Sequence, residues 1–149
     1  MYKTDFVDEQ LARLLGQNAG QNSETLAKQL NLSAATVRRR LKTLKRKDLL
    51  QVVGVVDPTK FGFPLAVMIA LDVSHEKLGS AIQSLAKHPY INWVSTTTGR
   101  YDIIALARFR STDDLSEFML NELAGMEGLR DSETFVCLDI QKGRYRPLT

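Results

Sequence analysis

The chain has 149 residues, 44% of them hydrophobic and 25% charged, and a formal net charge of +3. That length suits one ordinary domain or two small ones, and that hydrophobic share excludes general disorder. No apolar run approaches the roughly 18 residues of a membrane span, and Met1-Tyr2-Lys3-Thr4-Asp5 has no apolar leader core, so a cytoplasmic protein with no membrane partner is expected.

Asp5 to Leu15 reads as a first helix, capped by Thr4 or Asp5, with Val7, Leu11, Leu14 and Leu15 on its apolar face. Gly16 to Gln21 is a loop by its glycines and amides. A helix, a short turn and a second helix follow over Asn22 to Lys47. Asn22 or Ser23 suits the first cap and Ser33 the second, and Asn31 falls where the turn needs a left-handed residue. Ala34, Val37, Leu41 and Leu44 form one apolar stripe of the second helix. The remainder is basic: Arg38, Arg39, Arg40, Lys42, Lys45, Arg46 and Lys47. A helix of that kind suits the major groove of double-stranded DNA. Leu49 to Val56 is β-branched and predicts a wing strand or small hairpin bent at Gly54, which completes a winged helix-turn-helix over residues 1–57.

Residues 58–63 read as a linker by their proline and glycine content. Residues 64–149 change pattern. Leu65 to Val73 alternates as a strand, Glu76 to Lys87 is helical and His88-Pro89 stops it. Ile91 to Thr98 is a second strand and Asp102 to Arg110 a third, joined by Gly99-Arg100-Tyr101. A helix capped by Ser111 or Thr112 runs to about Leu123, and Glu133 to Ile140 is a fourth strand. The order βαββαβ is the ferredoxin-like split unit, with both helices on one sheet face. The first, third and fourth strands carry apolar residues on both faces, so the uncovered face is expected to meet a second copy of the chain. Cys137, the single cysteine, sits in an apolar β-like run, where a small buried thiol is expected, and Trp93 is likewise expected in the core. His75 and His88 have no carboxylate or thiol at ligand spacing, so neither a metal nor a cofactor is expected.

Charge is divided unevenly. Residues 1–60 hold eleven Lys/Arg against six Asp/Glu, and residues 61–149 hold nine against eleven. The first part is therefore the one expected to meet a polyanion. In the second helix of the turn motif, Ser33, Ala34, Ala35, Thr36, Arg38 and Arg39 lie at or near the N-terminal end that meets base edges. Arg40, Lys42, Lys45 and Arg46 suit phosphates. Ser23, Thr25 and Lys28 of the supporting helix suit the DNA backbone. A run of charges is ordinarily only a solvated face; the helix-turn-helix spacing is what turns it towards DNA.

Taken together, Glu24-Thr25-Leu26-Ala27, Asn31-Leu32-Ser33, Val37 to Leu41, the wing, Asp57-Pro58 with Phe61-Gly62, and Gly99-Arg100-Tyr101-Asp102 resemble the Lrp/AsnC, or feast/famine, family over essentially the whole chain. The resemblance implies an α+β protein, a DNA-binding winged helix followed by an ACT-like effector and oligomerisation domain. It also implies dimers that often assemble to octamers, and control by an amino acid or similar metabolite where subunits meet. The effector candidates are Thr98, Gly99, Arg100, Tyr101 and Asp102, with Thr134, beside Ser132 and Glu133 at the start of the fourth strand, flanking. Asp102 suits an α-ammonium, the Gly99 N–H a carboxylate, and Arg100 or Tyr101 specificity. Read without the family, the same residues are a tight hairpin in which glycine supplies positive φ. The function expected is sequence-specific transcriptional regulation. Two alternatives remain on the same fold: a tetrapyrrole decarboxylase, which would leave the basic helix without a use, and an effector-independent architectural DNA-binding protein.

Overall fold

The computed structural model describes residues 3–143. It divides into two compact units, Met1–Gly54 and Val55–Thr149. No helix among the described residues is long and apolar enough to cross a membrane.

The first unit is three helices, each started by a side-chain cap. Asp5 caps α1 (Phe6–Gln17): its carboxylate accepts the Asp8 N–H at 3.0 Å, and the Asp8 carboxylate accepts the Asp5 N–H at 3.3 Å. This reciprocal box satisfies two donors that a helix start leaves open. Asn22 caps α2 (Ser23–Leu30) through the Thr25 N–H, and Ser33 caps α3 (Ala34–Arg46) through the Thr36 N–H. Between α2 and α3, Asn31 takes the left-handed conformation, φ 54° and ψ 47°. The chain then reverses, and the Leu32 N–H closes back on the Ala27 carbonyl at 2.9 Å. Leu11, Leu15, Leu26, Ala27 and Val37 form the buried centre, flanked by Val7, Leu14, Leu30 and Leu41.

The wing departs from expectation. Residues 50–55 form no ladder, and Val56 makes a single bridge. Leu49, Val52, Val53 and Val55 are each about half exposed. β-Branched composition favours extended backbone, but a strand exists only where a second strand accepts its hydrogen bonds. None does so among the described residues.

The second unit follows the expected order. After a turn at Pro58–Phe61, β1 (Leu65–Val73), α4 (Leu78–Lys87), β2 (Ile91–Thr96), β3 (Ile103–Phe109), α5 (Thr112–Glu117) and β4 (Leu129–Val136) build an antiparallel sheet in the order β2-β3-β1-β4. α5 continues as a wider π turn over Phe118–Leu123. Alternation divides the sheet residues between two faces. Val67, Ile69, Leu71 and Val73 of β1, with Ile103, Ala105, Ala107 and Phe109 of β3, pack against Ala81 and Leu85 of α4 and against Phe118 and Leu123. Met68, Ile104 and Leu106 face the other way and are only partly covered.

Three expectations in this unit are corrected. The fourth strand begins at Leu129, not Glu133. Gly128, at φ 81°, makes the turn in a place where a Cβ would come within 2.7 Å of the Lys77 side chain, and the strand starts directly after it. β4 is an edge strand, so it tolerates the polar run Arg130-Asp131-Ser132 at its start. Cys137 follows the end of that edge and is exposed, not buried. Trp93, expected in the core, is 46% exposed on the uncovered face.

Asn31 gives the first prediction. A β-branched side chain is poorly tolerated in the left-handed region, so Asn31→Val is expected to lower the unfolding free energy by about 1–2 kcal/mol, whereas Asn31→Gly leaves it nearly unchanged. Urea titration followed by helical circular dichroism reads both.

Candidate DNA-reading helix and effector loop

The roll of α3 about its own axis decides what it can do. Val37 and Leu44 are buried. Ala35, Arg38, Arg39, Lys42, Lys45 and Arg46 are exposed, and Ala34 and Thr36 are half-buried. The outward side is therefore a row of cations with a small residue near its start. Ser33 is occupied as the cap, and its hydroxyl lies 2.8 Å from that of Thr36. On α2, Thr25 and Lys28 are exposed and Ser23 is half-buried. Arg38 meets Glu24 at 2.9 Å, and both side chains are more than half exposed. Such a pair is weak in water, and a phosphate can compete for the guanidinium. Glu24 was not among the sequence candidates, although it opens α2 beside the basic helix.

Arg40, assigned to phosphates by the sequence reading, is turned inward. Its Nη1 lies 2.8 Å from an Asp8 carboxylate oxygen and 2.8 Å from one of Asp5, and only 23% of its side chain is exposed. The reason is positional. Arg40 stands three residues after Val37 and four before Leu44, inside the buried stripe of the helix. The Asp8 side chain is 1% exposed, and a buried carboxylate needs a cation close by. The Asp8 hydrogen bond, followed by the one to Asp5, raises the Arg40 pKa above its ordinary value. Arg40 Nε is buried without an acceptor among the described residues, so the guanidinium is placed for the carboxylates and not for its own complete pairing.

In the second unit, Thr98 to Asp102 form the β2–β3 turn. The Thr97 N–H donates to the Asp102 carbonyl at 2.8 Å and the Thr97 hydroxyl to the Tyr101 carbonyl at 2.6 Å. Gly99 has φ 110°, with open space where a Cβ would stand, so glycine is required there for conformation and not for room. Thr98 and Arg100 are exposed. The Arg100 guanidinium lies 5.1 Å from the centre of the Tyr101 ring and 3.8 Å from Asp131. The Tyr101 hydroxyl donates to Glu133 at 2.6 Å, a bond that raises its pKa above the ordinary value of about 10. Asp102 is already engaged: its carboxylate accepts the Val73 N–H at 2.9 Å, with Arg130 at 3.7 Å. Thr134 is not brought to this loop. It pairs with Ile69 on the helix-covered face, its hydroxyl 3.7 Å from the Met119 sulfur, whereas Glu133 opposes Ala70 on the other face. Asp131, Glu133 and Arg130 are the loop's actual neighbours. From the sequence, Glu133 is already a flanking candidate beside Thr134, whereas Arg130 and Asp131 are missed because the expected fourth strand starts too late.

Residues 66–147 match the model of the Lrp/AsnC ligand-binding domain, and residues 8–51 match that of a winged helix-turn-helix DNA-binding domain. The chain belongs to the Lrp/AsnC family. Lrp/AsnC proteins are transcriptional regulators, and two relatives carry that description. An HTH-type transcriptional regulator of Pyrococcus abyssi is 27% identical over 142 residues, 95% of this chain and 90% of that one. One from Pyrococcus furiosus is 29% identical over 143 residues, 95% and 96% of the two chains. Among solved structures, E. coli AsnC matches with a TM-score of 0.85 and 24% identity over 94% of this chain and 95% of its own. A Neisseria meningitidis transcriptional regulator, solved as an L-Met complex, matches with a TM-score of 0.86 and 22% identity over 95% and 94%. At those identities the likeness is one of fold. Every residue from Ser23 to Lys45 named for DNA falls inside the Lrp/AsnC chain's winged-helix match, and Thr98 to Asp102 and Thr134 fall inside its ligand-binding match.

The Tyr101–Glu133 bond is testable by pH. The folded pKa of Tyr101 is raised, so the bond's contribution is complete below the unfolded tyrosine value and is lost as pH rises through the folded one. Carbon NMR of the Tyr101 ring is expected to titrate above an unperturbed tyrosine, and Glu133→Gln is expected to bring the midpoint back down.

Proposed function

We propose that this regulator binds a roughly palindromic DNA site as a dimer, inserting α3 of each subunit into the major groove, and that an amino acid or a chemically similar metabolite held at the 98–102 loop shifts its DNA affinity or assembly. The outward cationic row of α3 carries this reading. Arg39 is placed for a base edge or a phosphate, and Lys42, Lys45 and Arg46 continue the row as phosphate ligands. The uncovered sheet face supports the dimer: Trp93 and Phe135 are 46% and 42% exposed on one face of a four-stranded sheet. Further assembly, as far as an octamer, would use surfaces outside that face. A fold neighbour bound to L-Met supports an amino-acid effector. Such a ligand acts only as far as it prefers one state of the protein over another. The protein works in the cytoplasm and carries out no chemistry of its own. A tetrapyrrole decarboxylase on this fold would have no use for the α3 cations.

The domain limits follow the same reading: DNA binding in residues 1–57, a linker at 58–63, and effector binding and assembly in 64–149. Asp102 contributes to the effector loop by fixing its position at the end of β1, leaving Arg100 and Tyr101 as the groups that turn towards a ligand.

Binding to a duplex from the protein's own upstream region is expected to weaken steeply with salt, and Lys42→Ala is expected to reduce the slope of log K against log salt by roughly 1.8 per dimer, two phosphates lost. Gel shift or fluorescence anisotropy measures this, and an absence of salt-sensitive binding to any duplex would end the proposal. Phe135→Glu places a charge on the sheet face and is expected to give a monomer by analytical ultracentrifugation, with duplex affinity falling because one subunit no longer brings the other. An unchanged dimer would show that the sheet face is not the junction.

A further inference from the structure

We infer that Arg40 is a positioning residue for DNA recognition: clamped between Asp5 and Asp8 of α1, it fixes the roll of α3 and so selects which side chains face the bases. The inference deepens the DNA-binding reading of α3 and rests on it. Successive residues of an α-helix point about 100° apart. A roll of α3 by one residue would therefore withdraw Arg39 from the outward row and put Arg38 or Arg40 in its place. The apolar stripe sets the coarse roll, and the clamp sets it more finely. Burial of Val37 and Leu44 is favourable but non-directional, and the neighbouring Leu41 is only partly buried. A charge-assisted hydrogen bond is directional. Arg40 Nη1 is held at 2.8 Å by Asp8 and at 2.8 Å and 3.0 Å by the two Asp5 oxygens. Those two carboxylates are themselves fixed, because each also caps the start of α1 through the other's backbone N–H. The recognition helix is thus indexed to the first turn of a helix more than thirty residues earlier. The raised pKa of Arg40 agrees with a cation that stays with its carboxylates.

The test separates positioning from phosphate contact and from plain stability. Two probes are used: a duplex selected from a random library by the wild-type protein, and a scrambled duplex of the same composition. Wild-type binding to both establishes the DNA reading independently of the clamp. Arg40→Gln is expected to lower the selected-to-scrambled affinity ratio about tenfold, the scale of one lost two-pronged base contact, with the salt slope on the scrambled duplex unchanged. A slope reduced by roughly 1.8 per dimer with the ratio intact would overturn the inference and make Arg40 a phosphate ligand. A lowered melting temperature with an unchanged ratio for the folded fraction would overturn it in favour of a purely structural role. Asp5→Asn retains a good cap and removes one carboxylate. It is expected to lower the ratio in the same direction without altering the slope, whereas a steeper slope would mean that the acids had been holding a phosphate ligand back. If Arg40→Gln fails to fold, Asp5→Asn and Arg40→Lys decide by the same two readouts.

Discussion

Among the described residues, neither unit has secondary structure on both sides of its central element, and that shortage shapes what the chain can do. Two helices cover one side of α3, and two helices cover one side of the sheet. What remains open must be stable in water or meet a partner. The chemistry of the open sides differs. On α3 the open side is cationic and solvates well alone, so it stays available to a polyanion. On the sheet it is Met68, Trp93, Leu106 and Phe135, with a poor claim to water. One side attracts a charged ligand at long range; the other favours association at short range by removing apolar area.

The 98–102 loop stands where backbone pairing runs out. The β1–β3 ladder ends at Leu71 opposite Ile103, and the β1–β4 register shifts between Asp72 and Val73. The Val73 N–H is taken by the Asp102 side chain in place of a strand carbonyl. Arg130 then joins Asp72, the Val73 carbonyl and Asp102 at the same corner. The turn is thus attached to the end of the central strand by one backbone bond, from the Asp102 N–H to the Leu71 carbonyl at 2.9 Å, and beyond it by side chains, which are easier to rearrange than a ladder. A ligand that drew Asp102 or Arg130 away would act on the end of β1 itself. Tyr101 and Arg100 are attached more lightly, to Glu133 and Asp131 on the exposed edge strand.

Much of this was legible in the sequence because it follows from local chemistry. Asn22, Ser33 and Asn31 occupy cap and turn positions whose requirements are short-range. The alternation in β1 and β3 reports a central strand and its neighbour. Failures came where a residue's role depends on a remote partner. The wing residues have strand composition, but a ladder needs a second strand. β4 carries Arg130 and Asp131 because an edge strand can, whereas hydropathy starts the strand at Glu133 and runs it on through residues 137–140, which form no strand. Cys137 and Trp93 were expected inside for being apolar, yet the sheet face they share has no helix over it.

Arg40 is the instructive miss, because its signal was present. Three consecutive arginines invite reading as one patch, while helical spacing places them in three different directions. Arg39 points out, Arg38 lies to the flank where Glu24 meets it, and Arg40 falls in line with Val37 and Leu44. Of the acids that receive it, Asp5 reads from the sequence only as a helix cap, and Asp8 only as one more residue of the first turn. A carboxylate three residues into a helix, on the face that carries Leu11 and Leu15, is headed for the interior and needs a cation there. Net charge therefore overstates what this helix can offer to DNA: one guanidinium is neutralised within the fold, and a second is shared with a surface acid. The cations left for phosphate are those whose angular position, and not merely whose type, keeps them clear of the chain's own carboxylates.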